Sequence, residues 1–367
     1  MSSKLFMPIA LRDLTLANRI VISPMCQYSA VDGSANDWHL AHLVQLSLGG
    51  AGLLMIEATH VSAQARITLG CLGLYSDANE AALGRAVRAC RSFGKAALGI
   101  QLAHAGRKAS AHVPWEGGQA MAKEKGAYAT VAPSAIPFAD GWHTPAALDR
   151  DGMGRIVADF VAATHRADRL GLDLVELHMA HGYLMQQFLS PLSNKRSDEW
   201  GGSLANRMRF PLQAFEAVRA AWPGTKPLGA RINGTDWVDG GWSIEDAVVL
   251  AKALKERGAD YLCVSGGGSA AQAKIPVGPG YMVPLAERVK REAGIATRAV
   301  GMIVTPAQAE KIVAEGQADM VALARGFLDD PRWAWHAAEA LGAVSAYPPQ
   351  YERVRKALWP GAGLARP

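Results

Sequence analysis

Eight short apolar runs, alternating with helical patterns, constrain this chain more than any other feature. They fall at 18–25, 52–61, 96–104, 172–178, 226–233, 259–265, 297–303 and 318–324. Runs of this length bounded by turn residues read as buried strands. Helical patterns lie between them, for example at 77–93, 153–170, 204–222, 244–257 and 306–315. Start signals precede several: Ser76 or Asp77, Ser243 with Glu245 and Asp246 behind it, and Thr305-Pro306 with proline at the first helical position. Gly94, Gly171, Gly258 and Gly316 then close helices just ahead of strands, where a glycine commonly ends a helix. Strand–helix alternation predicts a parallel sheet, and eight repeats is the closing number of a (β/α)8 TIM barrel.

The rhythm breaks once. About forty residues, 106–149, separate the third strand from its helix and are rich in Gly, Pro, Ala and His. A loop that long is usually functional, and leaving the C-terminal end of a strand puts it over the barrel mouth, as a lid or substrate-shaping insertion. Ahead of the first strand, residues 7–16 alternate around Arg12-Asp13 and predict a hairpin that closes the barrel bottom. The whole chain, 1–367, then reads as one barrel domain with a C-terminal tail at 346–367.

Charge and cysteine spacing exclude several classes. A net charge of +5 over 367 residues is mild, and basic residues are interleaved with acids, as in Lys195-Arg196-Ser197-Asp198-Glu199, so no nucleic-acid groove is expected. Cysteines at 26, 71, 90 and 263 never form C-x-x-C, which argues against a zinc ribbon, an iron–sulfur cluster or a disulfide framework. The first residues lack the apolar core of a signal peptide, and the most apolar window, 43–56, holds three glycines and is too short for a bilayer. A cytoplasmic protein without a membrane partner is expected.

A barrel carries its chemistry at the C-terminal ends of its strands. The fourth run continues into His178, His181 and Tyr183 within six residues. Side chains three apart on a strand face opposite ways, so the two imidazoles act together only if the chain curls near Met179, and Gly182 suits such a turn. Other strand ends bring Ser23-Pro24-Met25-Cys26 and Tyr28, Glu57-Ala58, Gln101 and His104, Arg231, Ser265-Gly266-Gly267-Gly268, Gly301-Met302 and Ala324-Arg325-Gly326. The last two sets follow strands seven and eight, where barrels commonly hold a phosphate, and Arg325 adds a charge-assisted contact. A metal-dependent hydrolase remains an alternative for H-x-x-H with a nearby cysteine, but no acidic third ligand in a matching pattern stands at the strand ends. The glycines at 266–268 lack the G-x-G-x-x-G spacing of a dinucleotide-binding fold.

The stretches NRIVISPMCQYS at 18–29, ELHMAHGYLMQQFLSPLSNKRSDEWGGSLANRMRF at 176–210, Arg231, and ALARGFLDDP at 322–331 closely resemble the old yellow enzyme family of FMN-dependent ene-reductases, in its bacterial xenobiotic-reductase branch. The match runs in order over nearly the whole chain. The resemblance implies non-covalent FMN and NADPH as a transient reductant. It implies that Ser23, Pro24, Met25, Cys26 and Ala58 line the ring, that Gln101 meets its amide edge and that Arg231 stabilises negative charge near N1. Gly301, Met302, Ala324 and Arg325 would hold the ribityl phosphate. The implied reaction takes a hydride from NADPH to the flavin and then to the β-carbon of an electron-poor alkene. His178 and His181 would bind the substrate oxygen, Tyr183 would protonate the α-carbon, and Tyr28 would help bind substrate. An ion pair between Arg231 and Glu176 is expected alongside the flavin contact. A flavin-binding barrel without turnover is a further alternative. The tail carries Tyr347, Tyr351, Arg353 and Trp359 beside prolines; aromatics and arginine are enriched in interfaces. By resemblance, Arg353 or Trp359 completes the pocket of a second copy, in a homodimer or dimer of dimers.

Overall fold

The computed structural model describes residues 3–365; positions 1–2 and 366–367 of the expected single barrel and its tail lie outside the described residues. Eight parallel strands close a barrel in sequential order. They are β1 (Ile20–Ile22), β2 (Leu53–His60), β3 (Ala97–Ala103), β4 (Leu174–Met179), β5 (Leu228–Asn233), β6 (Tyr261–Ser265), β7 (Ala296–Ala299) and β8 (Met320–Leu323). After each comes a major helix: α1 (Asp37–Ser47), α2 (Asp77–Phe93), α3 (Arg150–Arg169), α4 (Leu204–Ala221), α5 (Ile244–Glu256), α6 (Val283–Ala293), α7 (Pro306–Ala314) and α8 (Trp333–Ala340). β2 and β4 are buried along their whole length, as strands packed on both faces must be. The expected caps form. Ser76 and Thr305 side chains accept from backbone N–H groups of α2 and α7, and Ser243 with Asp246 makes a capping box on α5.

Three of the four helix-ending glycines, Gly171, Gly258 and Gly316, are left-handed. Gly94 also closes its helix, its N–H donating to the Cys90 carbonyl, but at φ −89°. Its Cβ would stand 2.7 Å from the carbonyl oxygen of Ser47, so close approach to the end of α1, and not handedness, is what demands glycine there.

β1, β7 and β8 are shorter than the apolar runs that predict them. Pro24 has no N–H to offer a ladder, and Gly301 and Met302 take φ of 102° and 49°, which no strand accommodates. The chain therefore leaves the sheet early and its polar strand ends become loops at the mouth. At the opposite end the hairpin Ile9–Leu11 with Leu14–Leu16 plugs the barrel. Leu11 and Leu16 pack with Val21, Leu53, Met55 and Leu174, and Arg12 ties the turn to Asp260 at 2.7 Å.

The insertion after β3 folds into three short 3-10 turns and a two-stranded ladder, Val131–Ala132 with Ala146–Ala147. It lies against the β2 loop, with Ala111 N–H donating to the Ile67 carbonyl at 2.9 Å. The tail forms a 3-10 turn, Pro349–Val354, and stacks Tyr347 and Tyr351 on Trp335 with ring centroids 4.6 and 6.1 Å apart. That part of the tail packs on its own subunit. No helix among the described residues is long and apolar enough to cross a membrane.

Candidate active site

A cavity of about 980 Å³ opens at the C-terminal ends of the strands. Ser23, His181, Arg231, Ser265, Gly301, Met302, Ala324 and Arg325 are among its walls. Seven of these eight belong to the expected site; Ser265 joins them. Cys26, Tyr28 and Tyr183 share an adjoining cluster with Ile67, Cys71, Ala105 and Ala109. Ala58 and Gln101 are buried and face each other across the β2–β3 ladder at a bulge on Glu57. That bulge is useful: the buried Glu57 carboxylate accepts from the Gln27 N–H at 3.0 Å and so pins the 24–28 loop to β2. Pro24 and Met25 are half-buried within that loop. Arg353 and Trp359 do not line this cavity; Arg353 is exposed and Trp359 is 39% exposed.

The curl after β4 forms as anticipated. The strand ends at Met179 and His181 takes φ 59°. Its N–H donates to Asn233 Oδ1 at 3.1 Å, and a Cβ on Gly182 would stand 2.2 Å from the Gly268 carbonyl oxygen. Left-handed backbone at a non-glycine residue costs about 1–3 kcal/mol and persists only where surroundings over-determine it. The result is a triad of rings. His178 stands edge-on to His181 and to Tyr183, with centroids 5.0 and 4.9 Å apart.

Protonation follows from burial. His178 and His181 are held well below the ordinary imidazole range, first by burial and then by the Arg231 charge. Both are neutral at pH 7. His178 Nδ1 accepts from the Ala180 N–H at 3.2 Å, which assigns its proton to Nε2. His181 Nε2 is engaged with Ser265 Oγ at 2.8 Å. Burial, with Cys26 and Tyr28 adding, raises the Tyr183 phenol well above its usual value, so it carries a proton to give. Burial and then Glu57 likewise keep Cys26 a thiol.

The expected Arg231–Glu176 ion pair is absent among the described residues. Register explains it: Glu176 lies opposite Gly229, and Arg231 lies opposite His178, one rung nearer the mouth. Glu176 pairs instead with Arg298 and accepts from Gln101 and Tyr261, both at 2.8 Å. Arg231 is left with one long contact to Ser265 Oγ, 3.4 Å, and a buried Nε without a partner.

These features fit a flavin mononucleotide. Arg231 and Arg325 bring two guanidinium groups to the cavity and Asp329 one carboxylate, with no ion pair joining either arginine to a carboxylate among the described residues. Gly301 leaves a cradle whose Cβ would press on Met282 at 3.0 Å. Anionic phosphate and an electron-rich ring edge are what such walls accept. A metal centre fits less well: among the described residues no three of His, Cys, Asp and Glu converge.

A barrel with two cationic walls and a neutral donor cluster at its mouth defines a flavin oxidoreductase site. Comparison with known proteins agrees: residues 4–343 match the model of the NADH:flavin oxidoreductase / NADH oxidase family. The chain is 43% identical to an NADPH dehydrogenase of Geobacillus sp. over 355 residues, 96% of this chain and 99% of that one. It is 44% identical to an NADPH dehydrogenase of Listeria innocua over 356 residues, 96% and 100% of the two chains. Among solved structures, morphinone reductase superposes with a TM-score of 0.75 at 30% identity, covering 95% of this chain and 93% of that one. The same enzyme in complex with tetrahydroNAD gives 0.74 at 29% identity, over 94% and 93%. The chain belongs to the NADH:flavin oxidoreductase / NADH oxidase family.

Lys108, Arg298 and the role of Ser265 escaped the sequence reading. Lys108 Nζ donates to the His181 and Gly268 carbonyls, both at 2.9 Å, across 73 and 160 residues of chain. Main-chain partners that distant leave no local pattern. The one available signal was a lysine four residues beyond His104, at the root of the unusual insertion.

Proposed function

We propose that this oxidoreductase is an NADPH-dependent ene-reductase acting on α,β-unsaturated carbonyl compounds and related electron-poor alkenes. FMN is the flavin and NADPH the reductant, as the family and the NADPH dehydrogenases above imply. Bound FMN supplies two-electron hydride chemistry between NADPH and the alkene β-carbon. Gly301, Met302, Ala324 and Arg325 would hold its phosphate, with Ser23, Pro24, Met25, Cys26, Ala58, Gln101 and Arg231 around the ring. His178 presents Nε2–H to the substrate oxygen. His181 joins it when that oxygen takes the place of the Ser265 hydroxyl. Neutral imidazoles bind a developing enolate without the repulsion a carboxylate would bring. Tyr183, held protonated, gives its proton to the α-carbon, and Tyr28 flanks the substrate.

The observation that carries this reading is the ring triad of His178, His181 and Tyr183 at about 5 Å spacings. The insertion would act as the lid, since Trp115 lies edge-on to Tyr28 with centroids 5.9 Å apart. A second copy would receive Arg353 and Trp359 at its mouth, in a homodimer or dimer of dimers. Four unpaired thiols suit a reducing cytoplasm.

The test is an anaerobic panel of enones, enals, maleimides and nitro compounds with NADPH and purified protein. Saturated products support the reading; no turnover of any member of the panel, with NADPH oxidised only once air is admitted, overturns it. Heat-released supernatant should also contain free FMN, and a colourless protein that takes up no added FMN would contradict the cofactor assignment.

A further inference from the structure

Lys108 has more structure around it than a tether needs. It closes the turn Gly106–Lys108 that leaves β3, and spends two N–H groups on the carbonyls of His181 and Gly268. No carboxylate pairs with it among the described residues. Its ammonium stands 5.0 Å from the Tyr183 ring centroid and 4.7 Å from that of Phe138. Bridging two main-chain carbonyls requires only a neutral donor, and partly burying a charge for that purpose is costly. An ammonium near an aromatic ring is attracted by its quadrupole, and the attraction grows when the ring becomes anionic.

Given the ene-reductase reading, on which this rests, we propose that Lys108 is a positioning residue whose charge assists proton donation by Tyr183. In that step the phenol O–H breaks and a C–H bond forms at the substrate α-carbon. The O–H electron pair remains on oxygen as phenolate, and solvent water reprotonates it. A fixed cation near the ring stabilises the phenolate more than the phenol, so its effect is realised as the proton leaves. The need is real, because burial, with Cys26, Tyr28 and Cys71 adding, raises the Tyr183 phenol well above its usual value, and Arg231 offsets only part of that.

The groups around Lys108 are few. Arg107 precedes it, with Asp236 acting on Arg107 from beyond; β4 and its loop bring His178, His181 and Tyr183; Arg231 and Cys26 act on Tyr183 itself. Phe138 and Gly268 carry no charge. Burial, then Arg107, lowers Lys108 to about 8, while the imidazoles lie well below neutrality and Arg107 is lowered only to about 10. Lys108 is therefore the member of this cluster that loses its charge as pH rises through about 8.

The experiment compares FMN-loaded wild type, Lys108→Gln, Lys108→Met, Tyr183→Phe and the Tyr183→Phe/Lys108→Gln double variant in anaerobic stopped flow with NADPH and 2-cyclohexenone. Lys108→Gln removes the charge and keeps an amide N–H donor, one bond shorter than the lysine's, for the two carbonyls. It should slow the alkene half-reaction by about 10–100-fold, the scale of one lost electrostatic contact, and change the NADPH half-reaction by less than about twofold. The wild-type alkene rate should fall above about pH 8, and Lys108→Gln should lack that limb. In the Tyr183→Phe background the same change should cost less than about twofold, because a residue acting through Tyr183 is not additive with its loss.

Full alkene activity in Lys108→Gln with loss only in Lys108→Met would make the lysine a mere tether and overturn the proposal. So would equal losses in both Tyr183 backgrounds. A wild type inert towards every enone would instead remove the ene-reductase reading, and this with it.

Discussion

Single residues decide which groups at the mouth are charged. Burial lowers His42 and His60 to about 4 and His104 to about 3, and holds His178 and His181 well below the ordinary value. The unfolded chain binds protons on these imidazoles below about pH 6.5 while the folded chain does not, so stability is full above that pH and is lost as pH falls. Thermal melting should therefore drop steadily between about pH 6.5 and 4, and a melting temperature flat across that window would contradict the burial described. Glu176 and Arg298 are both fully buried partners. Arg298→Met leaves the carboxylate with only Gln101 and Tyr261 and should destabilise by about 3–5 kcal/mol in urea unfolding, the usual cost of orphaning a buried charge. A loss below about 1 kcal/mol would show that the pair is not the anchor of this layer. The ring cluster of His178, His181 and Tyr183 was legible because its residues are adjacent in sequence. Arg298 was not, because its partner lies 122 residues away and the pairing is set by barrel register.

At the scale of elements, the site is made where loops touch. The β4 and β6 loops meet backbone to backbone at Gly182 and Gly268, which take φ of 70° and 82°. A methyl at Gly182 would meet the Gly268 carbonyl oxygen at 2.2 Å, a contact that only a loop shift relieves. Gly182→Ala should then displace His181 and lower both stability, by about 1–3 kcal/mol, and alkene turnover, measured by melting and steady-state rate. Unchanged values for both would show that the loops are not in fixed contact. The eight strands and their helices were readable from apolar runs and caps, since each signal lies within one element. Strand ends were not: Pro24 and the left-handed Gly301 and Met302 stop β1 and β7 early, and apolar character alone continues past them. Gly94 reads as a helix-ending glycine from its position, yet its cause is the carbonyl of Ser47 on another helix.

For the whole molecule, the tail continues beyond its local stack on Trp335. Its later residues, Leu358 at 56% and Trp359 at 39% exposure, leave apolar area available to a second copy. Trp359→Ala with Arg353→Ala should keep FMN and raise the alkene KM by about tenfold, the order of one interface anchor. Wild type should scatter light as a dimer or tetramer at micromolar concentration, and a monomer there would end the shared-mouth idea. The 43–44% identity to NADPH dehydrogenases over 96% of the chain fixes the class of chemistry, while the division of labour inside the mouth is the claim most in need of measurement. One barrel mouth is held to run two half-reactions, with Tyr183 serving only the second. Anaerobic stopped flow on Tyr183→Phe tests this directly: flavin reduction by NADPH should stay near the wild-type rate, while flavin reoxidation by 2-cyclohexenone slows by about 10²–10⁴-fold. A variant that slows only with NADPH, and reduces the enone at the wild-type rate, would contradict the account.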